Sequence, residues 1–262
     1  MSQCSFSSSV FTSYNHWNLK MSQPGVESAA SLILQRGVEL DNKRRYTEAL
    51  ICYQEGLQLL VDMIKGVTDV QKKKYLRAKV EGYMSRAEKL KAHVEEEKES
   101  GKYHEQINIE NDSTGHDYQK VFGRFLDEHV TQVHVEDPYI RNFHQCQNFL
   151  RLCELLVKSC INLKKVSLLT SLDGNGKDQL QRLESIKDDL HSRHILLTID
   201  ISDTLHDRQI RLSNGWIIKI GRGLDYFKPP TGKFSLGFFD YNFRYCHETV
   251  VDIFHSKDVR LL

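Results

Sequence analysis

Three groups of side chains in this 262-residue chain could do chemistry. Cys146, Cys153 and Cys160 recur every seven residues, a spacing that invites a metal. They also fall in the stripe Cys146, Phe149, Leu150, Cys153, Leu156, Val157, Cys160, one apolar helix face on which thiols pack as small hydrophobes. Metal ligands must converge within about 2.3 Å of an ion, so packing is the expected role and no metal or cofactor is expected. The run Gln71-Lys-Lys-Lys-Tyr-Leu-Arg reads as a solvated helix face. Without a zinc finger, an RNA-recognition motif or a phosphate-cradling glycine loop beside it, no nucleic-acid partner is expected. Gly221-Arg-Gly-Leu-Asp lacks the third glycine and the following helix of a nucleotide loop.

The third group lies on an expected hairpin. Asn214-Gly215 between strand-like runs is a strong hairpin signal. A two-residue turn pairs Ser213 with Trp216, Ile210 with Lys219 and Arg208 with Gly221. Side chains alternate along strands, so His206, Arg208 and Lys219 are expected on one face, with Asp207 and Arg222 opposed on the other. A guanidinium, an ammonium and an imidazole suit a phosphate or lipid headgroup. Surface charges on an exposed sheet would look the same, and a one-residue slip would break the grouping. Between 203 and 244 stand seven Lys or Arg against four Asp. A local excess of three positive charges in a chain of net charge +1 points to an acidic surface.

These residues need elements to hold them. At 40% hydrophobic and 27% charged residues the composition is that of a globular protein with one or two cores. Six cysteines without a CxxC pair fit a reducing compartment. No apolar run reaches the roughly 18 residues of a membrane span, and the serine-rich residues 1–23 read as a disordered tail rather than a signal peptide. Residues 24–97 carry helical periodicity in three stretches. The stripes are Ala30, Ile33, Leu34, Gly37, Val38; then Tyr46, Ala49, Leu50, Tyr53, Leu57, Leu60, Ile64; then Leu76, Val80, Tyr83, Ala87, Leu90, Val94. An up-down-up bundle follows. Residues 98–114 are polar and aperiodic and read as a linker. From 115 to 262 strands at 130–135, 165–170, 195–201 and 249–254 alternate with helices at 143–160 and 178–191, so an α/β layered domain is expected.

Two stretches then carry a resemblance. Tyr46-Thr-Glu-Ala-Leu-Ile-Cys-Tyr-Gln-Glu-Gly and Tyr83-Met-Ser-Arg-Ala-Glu-Lys-Leu resemble the microtubule-interacting-and-trafficking (MIT) domain family. Val135-Glu-Asp-Pro-Tyr-Ile-Arg, Leu168-Leu-Thr-Ser-Leu, His206-Asp-Arg, Gly215-Trp-Ile-Ile-Lys-Ile-Gly-Arg-Gly-Leu-Asp-Tyr-Phe and Cys246-His-Glu-Thr resemble the phospholipase D-like domain that accompanies it. The resemblance implies an α plus α/β protein, a three-helix bundle followed by a phospholipase D-like mixed sheet with flanking helices. It implies that the bundle binds the C-terminal helices of ESCRT-III subunits between its second and third helices, with Met84 and Ala87 facing Ala49 and Tyr53. Related domains often carry an acid where Ser85 stands. Active phospholipase D-like domains use a His-x-Lys nucleophile site with an Asp five residues after the Lys. Here Arg208 and Ser213 hold those positions, so lapsed catalysis is implied, with no catalytic residues and the fold reused on acidic membrane lipids. The alternative is a phosphodiesterase using His206. Homodimerisation through the second domain, a cytoplasmic location at endosomal membranes and the midbody, and a role in abscission at cytokinesis are implied likewise.

Overall fold

The computed structural model describes residues 23–256 except 173 and 175. The expected tail lies outside this range apart from Gln23, which opens the first helix. The chain divides into two compact units, the first within residues 1–39 and 49–88 and the second within 40–48 and 89–262. Three helices lead, α1 (Gln23–Asn42), α2 (Tyr46–Lys65) and α3 (Val70–Glu99). The first unit buries Ala30, Leu34, Ala49, Tyr53, Leu60 and Leu76, all members of the sequence stripes, and Met63, which the stripes omit in favour of Ile64. Val38 departs from its stripe and is 38% exposed, because the α1 face turns instead toward Leu34 and Gly37. Gly56 lets α1 and α2 come so close that a Cβ there would lie 2.6 Å from Leu34 Cγ. Asp69 accepts the Gln71 N–H at 2.8 Å and the Lys72 N–H at 3.0 Å, satisfying two orphan donors at the start of α3.

The second unit is built on a seven-stranded mixed sheet of β1 (His104–Ile109), β2 (Gln132–Glu136), β3 (Lys165–Thr170), β4 (Leu196–Ile201), β5 (Gln209–Leu212), β6 (Trp216–Ile220) and β7 (Thr249–His255). Its spatial order is β1-β7-β6-β5-β2-β3-β4. The parallel pairs β2–β3 and β3–β4 are joined through α5 (Phe143–Ser159) and α6 (Lys177–Ser192), and the remaining pairs are antiparallel. A short α4 (Tyr118–Phe122) precedes β2. In register, Val133, Val135, Val166, Leu168, Ile210, Leu212, Ile218, Val251 and Ile253 share one buried face. The opposite face carries His134, Glu136, Gln209, Arg211, Lys219 and Asp252. One packed and one polar face is the pattern expected of antiparallel neighbours. Cys146 and Cys153 on α5 and Cys160 at its C-cap are buried free thiols, and burial pushes the Cys160 thiol up to about 12.

Two expectations give way. Within the expected linker at 98–114 stands β1, an edge strand whose whole length pairs with β7. Its sequence His-Glu-Gln-Ile-Asn-Ile is masked as a strand by Glu105 on the buried face. That carboxylate is held by Arg124, by the Tyr103 hydroxyl at 2.8 Å and by Thr47 Oγ1 at 2.9 Å. The hairpin turn is also one residue longer than expected. Gly215 N donates to Leu212 O at 3.0 Å, Gly215 takes φ +101° and Asn214 keeps a negative φ. This is a three-residue Ser213-Asn214-Gly215 connection, a type I turn closed by a positive-φ glycine, rather than a two-residue turn. Gln209 therefore faces Lys219.

Candidate functional site

In the first unit, α2 and α3 leave a groove of about 540 Å³ lined by Val61, Ile64, Arg77, Val80, Glu81, Met84, Ser85 and Glu88. Met84 is 36% exposed and stands in it. Ala49 and Tyr53 do not: at 0% and 1% exposure they belong to the core. The helical phase explains the miss. Ala49, Tyr53, Gly56, Leu60 and Met63 form the buried face of α2, whereas Val61 and Ile64 lie beside that face and border the groove. Ala87 is half-buried and outside the lining. Ser85 leaves no carboxylate at its own position, but Glu81 and Glu88 lie one turn to either side on the same lining. The groove thus combines an apolar floor with an α3 wall on which two acids, Glu81 and Glu88, outnumber Arg77, a shape that accepts the apolar stripe of a helix with basic flanks.

In the second unit, the carboxyl ends of β2 and β3, the start of β5 and the end of β6 lie at one edge of the sheet. Open α/β sheets place ligands in such crevices. The register shift divides the expected phosphate group there. Arg208 lies opposite Ile220, whose N–H donates to Arg208 O at 3.0 Å, and alternation puts it on the face opposite Lys219. Lys219 sits between Gln209 and Asp252 on the polar sheet face. His206 is exposed ahead of β5, and Arg222 is exposed after β6 with its N–H on Thr249 Oγ1 at 3.1 Å. These four do not form one cluster.

The structure assembles a different group at this edge. The Arg208 guanidinium donates to Gly221 O and lies 4.5 Å from the Tyr139 ring centre, while its Nε is buried without a hydrogen-bond partner. Arg141 approaches the same ring at 5.3 Å, donates from Nε to Pro138 O at 2.9 Å and donates to Ser171 Oγ. Asp137 accepts the N–H groups of Tyr139 at 3.0 Å and Leu224 at 2.9 Å, and burial holds its carboxyl above the ordinary value against those donors. A Cβ on Gly223, at φ +66°, would collide with this carboxylate. The Gly221-Arg-Gly-Leu-Asp segment is therefore a clasp on Asp137 and not a nucleotide loop. Asp225 accepts from Gln145 Nε2 at 3.1 Å and Asn148 Nδ2 at 3.0 Å, and pairs with His144 at 3.2 Å. Partial burial and then Arg222 and Lys228 lower the His247 pKa, a mark of the positive field at this edge. The motif Val135-Glu-Asp-Pro-Tyr-Ile-Arg contains Asp137, Tyr139 and Arg141, so the signal was present in the sequence. Only the fold shows that these residues meet Arg208.

Ser213 cannot substitute for a catalytic acid beside His206. It lies at the other end of β5, where its Oγ accepts the Thr131 N–H at 2.8 Å and the Gln132 N–H at 3.2 Å. Its role is to tie the hairpin to the start of β2.

The family described as the MIT (microtubule interacting and transport) domain matches residues 27–92, and that described as the phospholipase D-like domain at the C-terminus of MIT matches residues 115–255. The mouse (Mus musculus) MIT domain-containing protein 1 is 50% identical over 242 residues, 92% of this chain and 97% of the mouse protein. The chain belongs to the MIT domain-containing protein 1 family. The resemblance drawn from the sequence is thereby shown, as are the three-helix bundle and the mixed sheet with flanking helices. A solved structure of polyphosphate kinase from Porphyromonas gingivalis covers 59% of this chain and 23% of its own at 11% identity, with a TM-score of 0.34. That likeness carries no argument. The MIT domain-containing protein 1 pairing of modules makes an adaptor, with the groove in the MIT unit and the cationic edge in the phospholipase D-like unit.

Proposed function

We propose that this protein is a non-enzymatic adaptor that binds the C-terminal helices of ESCRT-III subunits in its MIT groove and acidic membrane lipids through its second domain. The observation that supports this reading best is the groove itself, with Met84, Val61 and Ile64 on an apolar floor and Glu81 and Glu88 beside Ser85. Short helices in such small interfaces bind at micromolar strength, about −8 kcal/mol or weaker. Exposed ion pairs add up to about 1 kcal/mol each, so reversing both acids in Glu81→Lys/Glu88→Lys should weaken a basic-flanked tail peptide about tenfold and flatten the salt dependence. Calorimetry at two salt concentrations checks this, and unchanged affinity would place the ligand elsewhere.

The membrane arm is supported by the local excess of three positive charges between 203 and 244 and by the exposure of Lys219, Arg222 and Lys233. Each basic residue at an anionic leaflet contributes about 1 kcal/mol, too little for one protomer to attach firmly. Homodimerisation through this domain would present two such patches to one membrane, and sedimentation of the full chain tests it. Action in abscission, with a cytoplasmic pool and peripheral sites on endosomes and at the midbody, rests on family membership alone.

A phosphodiesterase would need acid–base assistance beside His206, and neither Arg208 nor Ser213 is placed to give it. Arg208 is stacked on Tyr139 and bound to Gly221 O, and Ser213 is at the far end of β5. Missing acid–base assistance costs about 10²–10⁴-fold in rate. Wild type and His206→Ala should therefore give the same background on a phospholipid and on a generic phosphodiester. Turnover that disappears in His206→Ala would restore the enzyme.

A further inference from the structure

The loop between residues 229 and 245 displays its largest apolar side chains to water. Phe234 is 105% exposed, Leu236 84% and Phe239 86%, although the same unit buries many other aromatics completely. The loop has not simply failed to pack. Ser235 Oγ donates to Gly232 O at 2.7 Å, and Phe238 N donates to Ser235 O at 3.2 Å, forming successive turns. Beneath them Arg244, 7% exposed, donates to the carbonyls of Gly237, of Phe238 at 3.0 Å and of Lys228 at 3.3 Å. Its guanidinium stacks 4.2 Å from the Tyr241 ring, which Arg151 also approaches, at 3.8 Å. A buried cation and a ring thus fix the base of the loop, and the tip side chains stand away from the body.

The charges select the occupant. Just before the loop Lys228 pairs with Asp112 at 2.7 Å; within it Arg244 is consumed inside, and the Asp240 carboxylate accepts the Asn242 N–H at 2.9 Å. Lys233, next to Phe234, is exposed and has no ion pair among the described residues. A cation adjoining exposed aromatic and aliphatic side chains matches a boundary that is acidic at its surface and apolar just below. A side chain as exposed as Phe234 would need a deep complementary hole in a protein partner, whereas a fluid bilayer accepts any shape.

We propose that the 229–245 loop is a membrane-penetrating wedge, with Phe234, Leu236 and Phe239 entering the headgroup–acyl boundary of an acidic bilayer and Lys233 staying among the headgroups. This deepens the membrane reading above and rests on it. Removing the apolar tip, with every basic residue kept, should then release the protein.

The test compares the full chain with the triple variant Phe234→Ser/Leu236→Ser/Phe239→Ser on vesicles of phosphatidylcholine with 30% phosphatidylserine. Phe234 and Leu236 are exposed and Phe239 packs edge-on to Phe238 within the loop itself, at 4.8 Å between ring centres, so the melting temperature of the variant should match wild type. Partitioning should fall on the order of tenfold, since binding scales with apolar area inserted. Independently, Phe239→Trp should show a blue-shifted emission that bromine-labelled acyl chains quench. Failure of wild type to bind these vesicles would overturn the membrane reading and the wedge with it. Binding by wild type and triple variant alike, with an unquenched Phe239→Trp, would overturn the wedge alone. Loss of self-association in the triple variant with an unquenched Phe239→Trp would reassign the loop to a second copy of the chain and overturn it equally.

Discussion

Replacing Met84 with Asp is expected to abolish binding of ESCRT-III tail helices while leaving the bundle folded. Met84 is already 36% exposed in the free protein, so a carboxylate there stays hydrated and costs the fold little. In the complex the same carboxylate is covered by the ligand's apolar stripe. Burying it unpaired costs several kcal/mol, and 1.4 kcal/mol is already tenfold in affinity. A micromolar complex then falls beyond detection. The flanking acids Glu81 and Glu88 make the loss larger by repelling the new carboxylate, and Arg77 of the same lining stands seven positions before it on α3. Calorimetry with a tail peptide, beside circular dichroism to confirm helix content, checks the result. Unchanged affinity would remove the groove from the reading.

The second large effect is on stability. Arg124, 5% exposed at its side chain, bridges Glu48 and Glu105, which are 18% and 2% exposed. Breaking a buried pair by removing one partner costs about 3–5 kcal/mol, because the other charge stays buried. Arg124→Leu should therefore lower the melting temperature by roughly 10 °C, and adding Glu105→Gln should recover part of it. The pH dependence separates this from a simple packing loss. Burial raises the Glu48 carboxyl, but Arg124 and Arg45 outweigh it, and its pKa lies below the ordinary 4.5. A depressed carboxylate stabilises the fold above its unfolded pKa and ceases to do so as pH falls through the folded one. The stability gap between wild type and Arg124→Leu should therefore be widest above pH 4.5 and narrow below it. A gap that is constant with pH in thermal melts would show that Arg124 acts only by filling space.

Much of the fold is legible in the chain because it rests on local periodicity. The α2 stripe, the cysteine face of α5 and the apolar run Lys165–Thr170 each declare themselves within a few turns or residues. The pairing of Asp137, Tyr139 and Arg141 was visible as a motif, and so was the hairpin. Local signals do not determine what depends on partners distant in sequence. Strand β1 looked like a linker because its buried Glu105 is made acceptable only by Arg124, Tyr103 and Thr47. The hairpin register turned on whether Asn214 and Gly215 both take positive φ or Gly215 alone does. Asn214 keeps a negative φ with its side chain bound to Phe125 O at 2.9 Å, a tertiary contact that the dipeptide could not announce.

That single residue of register decided the candidate site. With a two-residue turn, Arg208 and Lys219 would share a face. With three residues they lie on opposite faces, and Arg208 finds Tyr139 instead. In the bundle, likewise, helical spacing told which residues are apolar, but two apolar neighbours on α2 can face either the core or the groove. Packing against Gly37 and Tyr83 sent Tyr53 inward, and Val61 and Ile64 were left to line the groove. Periodicity and residue type are local properties, so the chain read alone yields the two domains' classes and the chemistry each could attempt. Which side chains meet was decided only by the tertiary structure, because turn length and helix phase are set by contacts between segments far apart in the chain.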